Sequence, residues 1–366
     1  GEDPATAVSV VVPDAALGGA QRTATAAVAG AESVRPDGPG VAPSWAVCDE
    51  TGGDGGGGPV ATTVVAGAAL PPPGPPPGSP QADGVLLVVP NGRTWLVTGG
   101  RRHEIDLADR PLVTAFGIAD RKPRPANADL VSAVPQGPAL ATPQVPGRGG
   151  PAPAGMPGRV GDVLVRSPSD GPEQYYVVLA TGLQELPPLV ADVLLAAGGV
   201  SRSVGPEVLA RARAVEGLDV ARWPASSPWI LGPADAPFVC WTWAGGGRPE
   251  TGVFLGTSLP VPAGGVTVVL AQADGAGARA DNVVLADGGG GPVRATGPGR
   301  APGAGPLWLV SATGVAHGVA DDASAEALGI TRAQPAPEAA LRMLPRGTLL
   351  DVAQAVQVVD IASTGS

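Results

Sequence analysis

The stretch Trp95–Asp106 reads WLVTGGRRHEID, and its pattern returns twice further along the chain. The second copy is Tyr175–Leu186, YYVVLATGLQEL, and the third is Trp308–Val319, WLVSATGVAHGV. Each copy combines an apolar run of strand composition, a turn containing glycine, and a second run with a polar residue, which is typical of a β-hairpin. The sequence therefore predicts a repeat protein built around these hairpins.

A helix and a second motif follow the hairpins. Leu189, Val190, Val193 and Leu194 have the spacing of a helical stripe, and Gly198 is placed to end that helix. The second motif follows the first and third copies further along the chain. It is Val134–Leu140 (VPQGPAL) after the first copy and Leu344–Leu350 (LPRGTLL) after the third. A unit this small cannot bury a core alone, so we expect the units to pack on a shared partner.

Turn glycines and the runs between the repeats complete the predicted plan. We expect positive φ angles at Gly99-Gly100 and at the Thr181-Gly182 turn. Six runs rich in Val, Leu and Thr are predicted to pair into one central β structure: 60–70, 84–90, 160–166, 238–243, 265–273 and 282–286. Glycine and proline clusters separate them as loops: 52–58, 71–80, 147–158 and 288–292.

The predicted fold class is α+β and rich in β structure, with a central β core flanked by four quasi-repeats of β-hairpin plus helix. Residues 1–27 are interpreted as the second half of a first repeat, because Val8–Gly19 resembles that half of the other copies. The remaining segments are core (28–92), repeat 2 (93–140), core (141–173), repeat 3 (174–221), core (222–306), repeat 4 (307–355) and a C-terminal tail (356–366).

Composition narrows the class of protein. The hydrophobic fraction is 44% against 15% charged residues, a balance that favours an ordered chain despite 56 Gly and 43 Pro. A net charge of −10 argues against nucleic acid and against an anionic membrane surface as partners. We find no apolar stretch of the roughly 18 residues that a membrane span needs. The opening Gly1–Pro4 carries no signal peptide, so we expect this end to be mature or cut from something longer.

Two cysteines, Cys48 and Cys240, lie in core-type segments beside aromatic residues. Two are too few for a zinc site. We favour a disulfide over two buried thiols, and this bond would close a long loop between Cys48 and Cys240. A disulfide would also place the chain in an oxidising compartment.

Catalytic patterns are weak. The only lysine, Lys122, follows no glycine loop, so a P-loop is not predicted, and the glycine tracts read as loops. His103 and His317 hold matching places where Gln184 stands in the third copy, which favours a polar residue of the hairpin's second strand over a catalytic group. A triad of His317, Asp321 or Asp322, and Ser311 is the alternative, without a nucleophile-elbow pattern to support it.

Trp241 and Trp243 alternate along one strand face and are interpreted as core packing, with a sugar platform as the alternative. We predict no catalytic, cofactor-binding or metal-binding residues, and no cofactor.

Several strings together resemble the EccB family, the membrane-anchored subunits of actinobacterial type VII (ESX) secretion systems. They are Tyr175–Asp192, Arg101–Asp106, Trp45–Asp49, Cys240–Trp243 and the Leu-Pro-x-Gly-x-x-Leu pattern near the C-terminus. The resemblance implies a cytoplasmic N-terminus and a single transmembrane helix, both absent from this chain. It also implies a periplasmic domain of four repeats with quasi-two-fold symmetry and a family-typical disulfide.

The resemblance implies a structural role in assembly and protein export. Implied partners are EccC-type ATPase, EccD-type channel, EccE and MycP mycosin protease subunits, and further copies of the chain itself. A peptidoglycan-binding module, by fold analogy, and an ATP hydrolase lacking a P-loop are the alternative functions.

Overall fold

The computed structural model describes residues 44–52, 61–67, 83–245, 250–275, 277–286, 290–297 and 303–355. The predicted half-repeat (1–27), the proline cluster (71–80), the C-terminal tail and most of the glycine tract 52–58 lie outside these residues. The described part is an α+β fold rich in strands, which confirms the predicted class.

Short strands and short helices make up the fold. The strands are β1 (Ser44–Glu50), β2 (Ala61–Ala66), β3 (Asp83–Val88), β4 (Thr94–Thr98), β5 (Arg101–Glu104), β6 (Arg124–Pro125), β7 (Val163–Arg166), β8 (Gln174–Leu179), β9 (Gly182–Leu186), β10 (Ser201–Ser203), β11 (Trp229–Ile230), β12 (Phe238–Ala244), β13 (Glu250–Gly256), β14 (Val266–Val269), β15 (Asn282–Leu285), β16 (Gly291–Thr296), β17 (Leu307–Val310), β18 (Ala316–Gly318) and β19 (Gln334–Pro337). The helices are α1 (Arg110–Ala115), α2 (Ala128–Ala133), α3 (Pro188–Ala196), α4 (Pro206–Arg211), α5 (Asp322–Ala327), α6 (Glu338–Met343) and α7 (Val352–Ala355).

A central sheet has the order β13-β12-β1-β2-β15-β14. Its middle strands β12, β1 and β2 are antiparallel, whereas β15 runs parallel to β2. Four of the six predicted runs, at 60–70, 238–243, 265–273 and 282–286, contribute strands to this sheet, as expected.

The prediction for the other two runs, 84–90 and 160–166, is wrong. They form β3 and β7, which pair with the hairpins β4–β5 and β8–β9 instead of with the central sheet. Strand β16 does the same for the hairpin β17–β18. A strand that directly precedes a hairpin closes a much shorter loop by pairing locally than by joining a distant sheet, so each repeat gains a third strand. The division of the chain into eight segments stays a prediction.

Each of the three repeats continues along one path. After the meander comes a helix, and then a short strand (β6, β10 or β19) parallel to the meander's first strand. A second helix leads to a closing segment whose residues form parallel bridges to the third strand, as in Arg102↔Gln136, Leu183↔Ala214 and Ala316↔Arg346. The repeats recognised in the sequence therefore share a topology as well as a motif.

The helix α3 forms as predicted. Leu189, Val190, Val193 and Leu194 are all buried, and Gly198 has a φ of +92° just beyond the C-terminus. The helix packs against α1, so repeats 2 and 3 share one apolar cluster.

Glycine is required in the hairpin turns for two different reasons. Gly99 and Gly100 have φ angles of +55° and +71°, as predicted for the hairpin β4–β5. Gly182 does not have a positive φ, so that part of the prediction is wrong. A Cβ at Gly182 would collide with the carbonyl oxygen of Arg213 in the closing segment, so close backbone approach is what requires glycine there.

One face of the central sheet carries the largest core. Trp45, Trp241 and Trp243 are at most 5% exposed and pack there with residues of repeats 2 and 4. The core interpretation of Trp241 and Trp243 is confirmed, and rings this deeply covered cannot offer a sugar platform.

The disulfide lies on the other face of the same sheet. Cys48 and Cys240 stand directly opposite each other on β1 and β12 and are bonded, as favoured from the sequence. Phe238, Phe254 and Leu259 pack around the bond with the buried Val65.

A side-chain hydrogen bond, called the clamp here, closes each of the three described repeats. His103 Nδ1 lies 2.9 Å from the carbonyl oxygen of Pro138, and His317 Nδ1 lies 3.1 Å from that of Thr348. Gln184 does the same work in repeat 3, donating from Nε2 to the carbonyl oxygen of Leu218 at 2.7 Å. These side chains tie the hairpin's second strand to the closing segment, which explains why His and Gln are interchangeable here.

None of the described helices is long and apolar enough to cross a membrane.

Replacing both cysteines tests the disulfide. Because the bond joins residues separated by 192 positions, its removal frees a large amount of chain entropy in the unfolded state. The double variant Cys48→Ala, Cys240→Ala should lose about 2–5 kcal/mol of unfolding free energy in urea titrations. Equal unfolding midpoints for the variant and the oxidised parent, or two freely alkylated thiols in non-reducing peptide mapping, would contradict the assignment.

Glycine 347 tests the clamp. A Cβ at Gly347 would overlap the His317 ring, so Gly347→Ala should destabilise the protein by about 1–3 kcal/mol. Gly171→Ala is the matched control, since a Cβ there meets only Pro168 at 3.5 Å, and it should stay within about 0.5 kcal/mol of the parent. Similar losses in both variants would show that the ring contact does not fix residue 347.

Candidate functional site

The residues of the hypothetical triad have separate structural roles. His317 Nδ1 faces the Thr348 carbonyl, and Ser311 Oγ lies 2.9 Å from Thr313 Oγ1 inside its own turn. Asp321 caps α5 by accepting from the Ser324 backbone N–H at 2.7 Å, and its alternative Asp322 is exposed in the first turn of that helix. No described contact joins the three side chains into a relay, so the structure gives the triad no support.

Features of nucleotide and metal sites are not assembled either. Lys122 is exposed in the loop between α1 and β6. Within the described ranges, no group of three His, Cys, Asp or Glu side chains is placed to hold a metal ion.

The most unusual chemistry is a buried polar junction between the central sheet and repeat 2. It consists of Asp49, Thr62, Arg124, Asn127 and Asp281, each at most 6% exposed. Buried polar side chains are costly unless they are hydrogen-bonded. Arg124 donates from Nη1 to the carbonyl oxygen of Ala236 at 2.5 Å, and the other four members are joined by the bonds described next.

Hydrogen bonds in the junction connect three segments that are distant in sequence. Asp49 Oδ1 accepts from Thr62 Oγ1 at 2.9 Å, and Asp49 Oδ2 accepts from the Asn127 backbone N–H at 2.7 Å. Asp281 Oδ2 accepts from the Thr62 backbone N–H at 2.7 Å. Asn127 in turn caps α2 by accepting from the Asp129 N–H, and it donates to the Gly277 carbonyl. One carboxylate therefore fixes both a strand pair and the start of a helix in repeat 2.

Burial dominates the electrostatics of the junction. It raises the pKa of Asp49 to about 7, against the lowering effect of the hydrogen bonds from Asn127 and Thr62; the nearby Asp281 also raises it, and Arg124 lowers it. Burial lowers the pKa of Arg124 to about 10, which still leaves it charged at neutral pH. The charge of Arg124 thus acts on Asp49, the more deeply buried of the two acidic side chains.

This junction is the part of the site that sequence reasoning missed. The available signal was weak: Asp49 directly follows the apolar run Trp45–Cys48 within the strand SWAVCDE. Its partners Asn127 and Asp281 are 78 and 232 positions away, and nothing in their local sequence marks them.

Two repeats carry an arginine stacked on a tryptophan. The guanidinium carbon of Arg346 lies 4.2 Å from the centroid of Trp308, and that of Arg102 lies 4.9 Å from Trp95. These are cation–π contacts, and they cover the aromatic residue of the hairpin's first strand.

The corresponding place in repeat 3 holds a cavity of about 730 Å³. Tyr176 contributes the aromatic wall, while Ala212, Ala214 and Gly217 leave the space open. Its lining also includes the acidic residues Glu185, Glu216 and Asp219.

A pH titration tests the junction. Because the pKa of Asp49 is about 7 in the folded state and ordinary in the unfolded state, the native protein holds a proton that the unfolded chain releases. Stability from this group is therefore full below about pH 4 and is lost as pH rises toward 7. Between pH 5 and 7 the parent should lose about 2 kcal/mol that Asp49→Asn does not lose.

The exposed Asp120→Asn is the control and should follow the parent's pH profile. If the Asp49→Asn profile runs parallel to that of the parent in denaturant titrations, the raised pKa is wrong.

Comparison with known proteins gives the family. Residues 4–363 match the family described as "Type VII secretion system ESX-1, transport TM domain B". The chain is 36% identical over 283 residues to the protein named ESX-5 secretion system ATPase EccB5 of Mycobacterium tuberculosis H37Rv, covering 72% of this chain and 56% of the relative. It is 35% identical over 293 residues to ESX-3 secretion system ATPase EccB3 of Mycolicibacterium smegmatis, covering 75% and 56%. The chain thus spans little more than half the length of these relatives.

Solved structures agree with these matches. A chain of the periplasmic assembly from the ESX-5 inner membrane complex superposes with a TM-score of 0.76 at 32% identity, covering 95% of this chain and 86% of that one. The EccB3 dimer from the ESX-3 core complex gives 0.67 at 30% identity, covering 88% and 83%. With a family match across nearly the whole chain, and with the repeats and the disulfide in place, the protein belongs to the EccB family of type VII secretion systems.

Proposed function

We propose that this chain is the extracytoplasmic domain of an EccB-type structural subunit of a type VII secretion membrane complex, acting in assembly and protein export. The observation that carries the proposal is the match of 95% of the chain to a chain of the ESX-5 periplasmic assembly. The buried disulfide supports a site of action outside the cytoplasm, where such bonds persist.

The fold suits a scaffold. Its repeats share one topology: repeats 2 and 4 pack on the central sheet, and repeat 3 packs on repeat 2. This arrangement presents several similar surfaces at fixed positions. Proposed partners are EccC-type, EccD-type and EccE subunits, the MycP protease and further copies of this chain. The solved EccB3 dimer supports self-association. Anchorage by a single membrane helix outside this chain stays a prediction.

The two alternatives need separate assays. The relatives are named as ATPases. ATP turnover is therefore measured with the purified chain and with its Lys122→Ala variant. We expect the substitution to leave any turnover unchanged, because this exposed lysine lies in no phosphate-binding loop. Retention of the chain on purified peptidoglycan at moderate salt would favour the wall-binding module instead.

Thiol labelling in cells tests the location. Both cysteines of this chain are in the disulfide, so Thr181→Cys adds a free thiol on an exposed turn, and labelling is compared with that of the full-length parent. In the full-length protein this thiol should react with a membrane-impermeant maleimide in intact cells as well as after lysis. Labelling only after lysis would place the domain inside the cytoplasm and overturn the proposal.

Co-purification tests the assembly role. Tagged full-length protein, extracted in mild detergent, should bring down the other membrane subunits of its secretion system and an untagged second copy of itself. Recovery of the tagged protein alone, with its disulfide intact, would contradict a structural role.

A further inference from the structure

We propose that the cavity of repeat 3 is a docking site for an arginine side chain of a partner polypeptide, which stacks on Tyr176. The proposal adds a contact to the assembly role above. It rests on a comparison between repeats of this one chain.

The bridges between strands align the three repeats residue by residue. Arg346 bridges to Ala316 in repeat 4, and Ala214 bridges to Leu183 in repeat 3. Ala214 therefore occupies the place of Arg346, and Tyr176 occupies the place of Trp308. In repeat 2 the matching bridge residue is Gln136, and the cation comes from its partner Arg102. Repeat 3 has an alanine and a leucine at the two places from which the other repeats supply a guanidinium.

The face that carries these aromatic residues also differs in its surroundings. Trp95 and Trp308 belong to, or pack against, the large core beside the central sheet, together with buried residues of α2 and α6. Tyr176 belongs to a small separate cluster with Val208 and Leu209 of α4, a helix without a buried residue. Leu164, Val178 and Leu183 of that cluster are buried. Among the described residues, this face of repeat 3 is therefore covered by its own loop and by α4 instead of by the central sheet, and the cavity beside Tyr176 is what stays accessible.

Charge around the cavity selects the occupant. Glu185, Glu216 and Asp219 are exposed and line it, so an entering side chain meets negative charge. Arg166 is the cation that acts on Tyr176, and its Nη1 is engaged at 2.8 Å by Gln174 Oε1. A planar guanidinium matches both the aromatic face and the carboxylates, and it is the group that covers the aromatic ring in the other two repeats.

The cavity has room for more than one side chain. Its volume of about 730 Å³ falls within the range of ligand pockets in general, and the small residues Ala212, Ala214 and Gly217 let a backbone approach the closing segment. This favours an arginine presented by a polypeptide segment over a small free cation.

Tyrosine NMR gives a direct test, because the chain has only two tyrosines. With ring-labelled tyrosine, the Tyr176 signals are assigned by Tyr176→Phe. The probe is the blocked peptide acetyl-Gly-Arg-Gly-amide, and the control is the same peptide with citrulline, which keeps the shape and removes the charge. We expect saturable shifts of Tyr176 with the arginine peptide and roughly three- to fivefold weaker binding of the citrulline peptide.

Two variants at one exposed position complete the design. Ala214→Arg restores the arrangement of repeat 4 and should abolish probe binding, because its own guanidinium covers the ring. Ala214→Gln introduces the residue that repeat 2 has at this place, and it adds volume without charge. The Ala214→Gln protein should bind the probe at least threefold more tightly than the Ala214→Arg protein does. Thermal melting and disulfide mapping confirm that both variants fold.

Three results would overturn the proposal. They are the absence of a Tyr176 shift with the arginine peptide, equal binding of the arginine and citrulline peptides, and undiminished binding to folded Ala214→Arg. None of these results affects the assembly role, which is tested separately by co-purification.

Discussion

The pairing of β1 with β12 is the constraint on which the rest of the molecule depends. It joins residues almost 200 positions apart, and it is locked by a disulfide on one face and covered by three tryptophans on the other. Pairing so distant is unfavourable in chain entropy, and a covalent bond at its centre offsets part of that cost. Repeats 2 and 3 lie entirely within the loop that this bond closes, so their attachment to the core is confined from both ends.

The polar junction gives the same region its specificity. Apolar packing alone would hold repeat 2 against the central sheet, but it would tolerate small shifts in register. Asp49 accepts from Thr62 of the neighbouring strand and from the backbone N–H of Asn127, the N-cap of α2, which only one placement of the repeat satisfies. Burial raises the pKa of the Asp49 carboxyl group to about 7. The attachment of repeat 2 is therefore sensitive to pH near neutrality.

Local and repeated signals made the hairpins, the helix α3, the fold class and the disulfide predictable. What failed was the choice of partner for strands of similar composition. The runs at 84–90 and 160–166 have the same Val- and Leu-rich character as the true central strands, and composition cannot show that they pair with the next hairpin. The polar junction could not be predicted for the same reason, since folding alone brings Asn127 and Asp281 close to Asp49. Gly182 illustrates a third limit: glycine was expected for its φ angle, whereas the position needs glycine for close contact with Arg213.

Repeats within one chain separate structural residues from functional ones without any comparison between proteins. Positions that keep the unit together tolerate only replacements that make the same bond, as His103, Gln184 and His317 show. Positions whose role depends on what packs against the repeat carry different residue types in repeats with different neighbours. The stacked arginine is present in the two repeats whose aromatic face meets the central core, and alanine stands at the place of Arg346 in repeat 3, where a cavity lies beside the aromatic residue. An aromatic residue beside an accessible cavity, without the guanidinium that covers its counterpart elsewhere, is the pattern expected where the covering group comes from another chain.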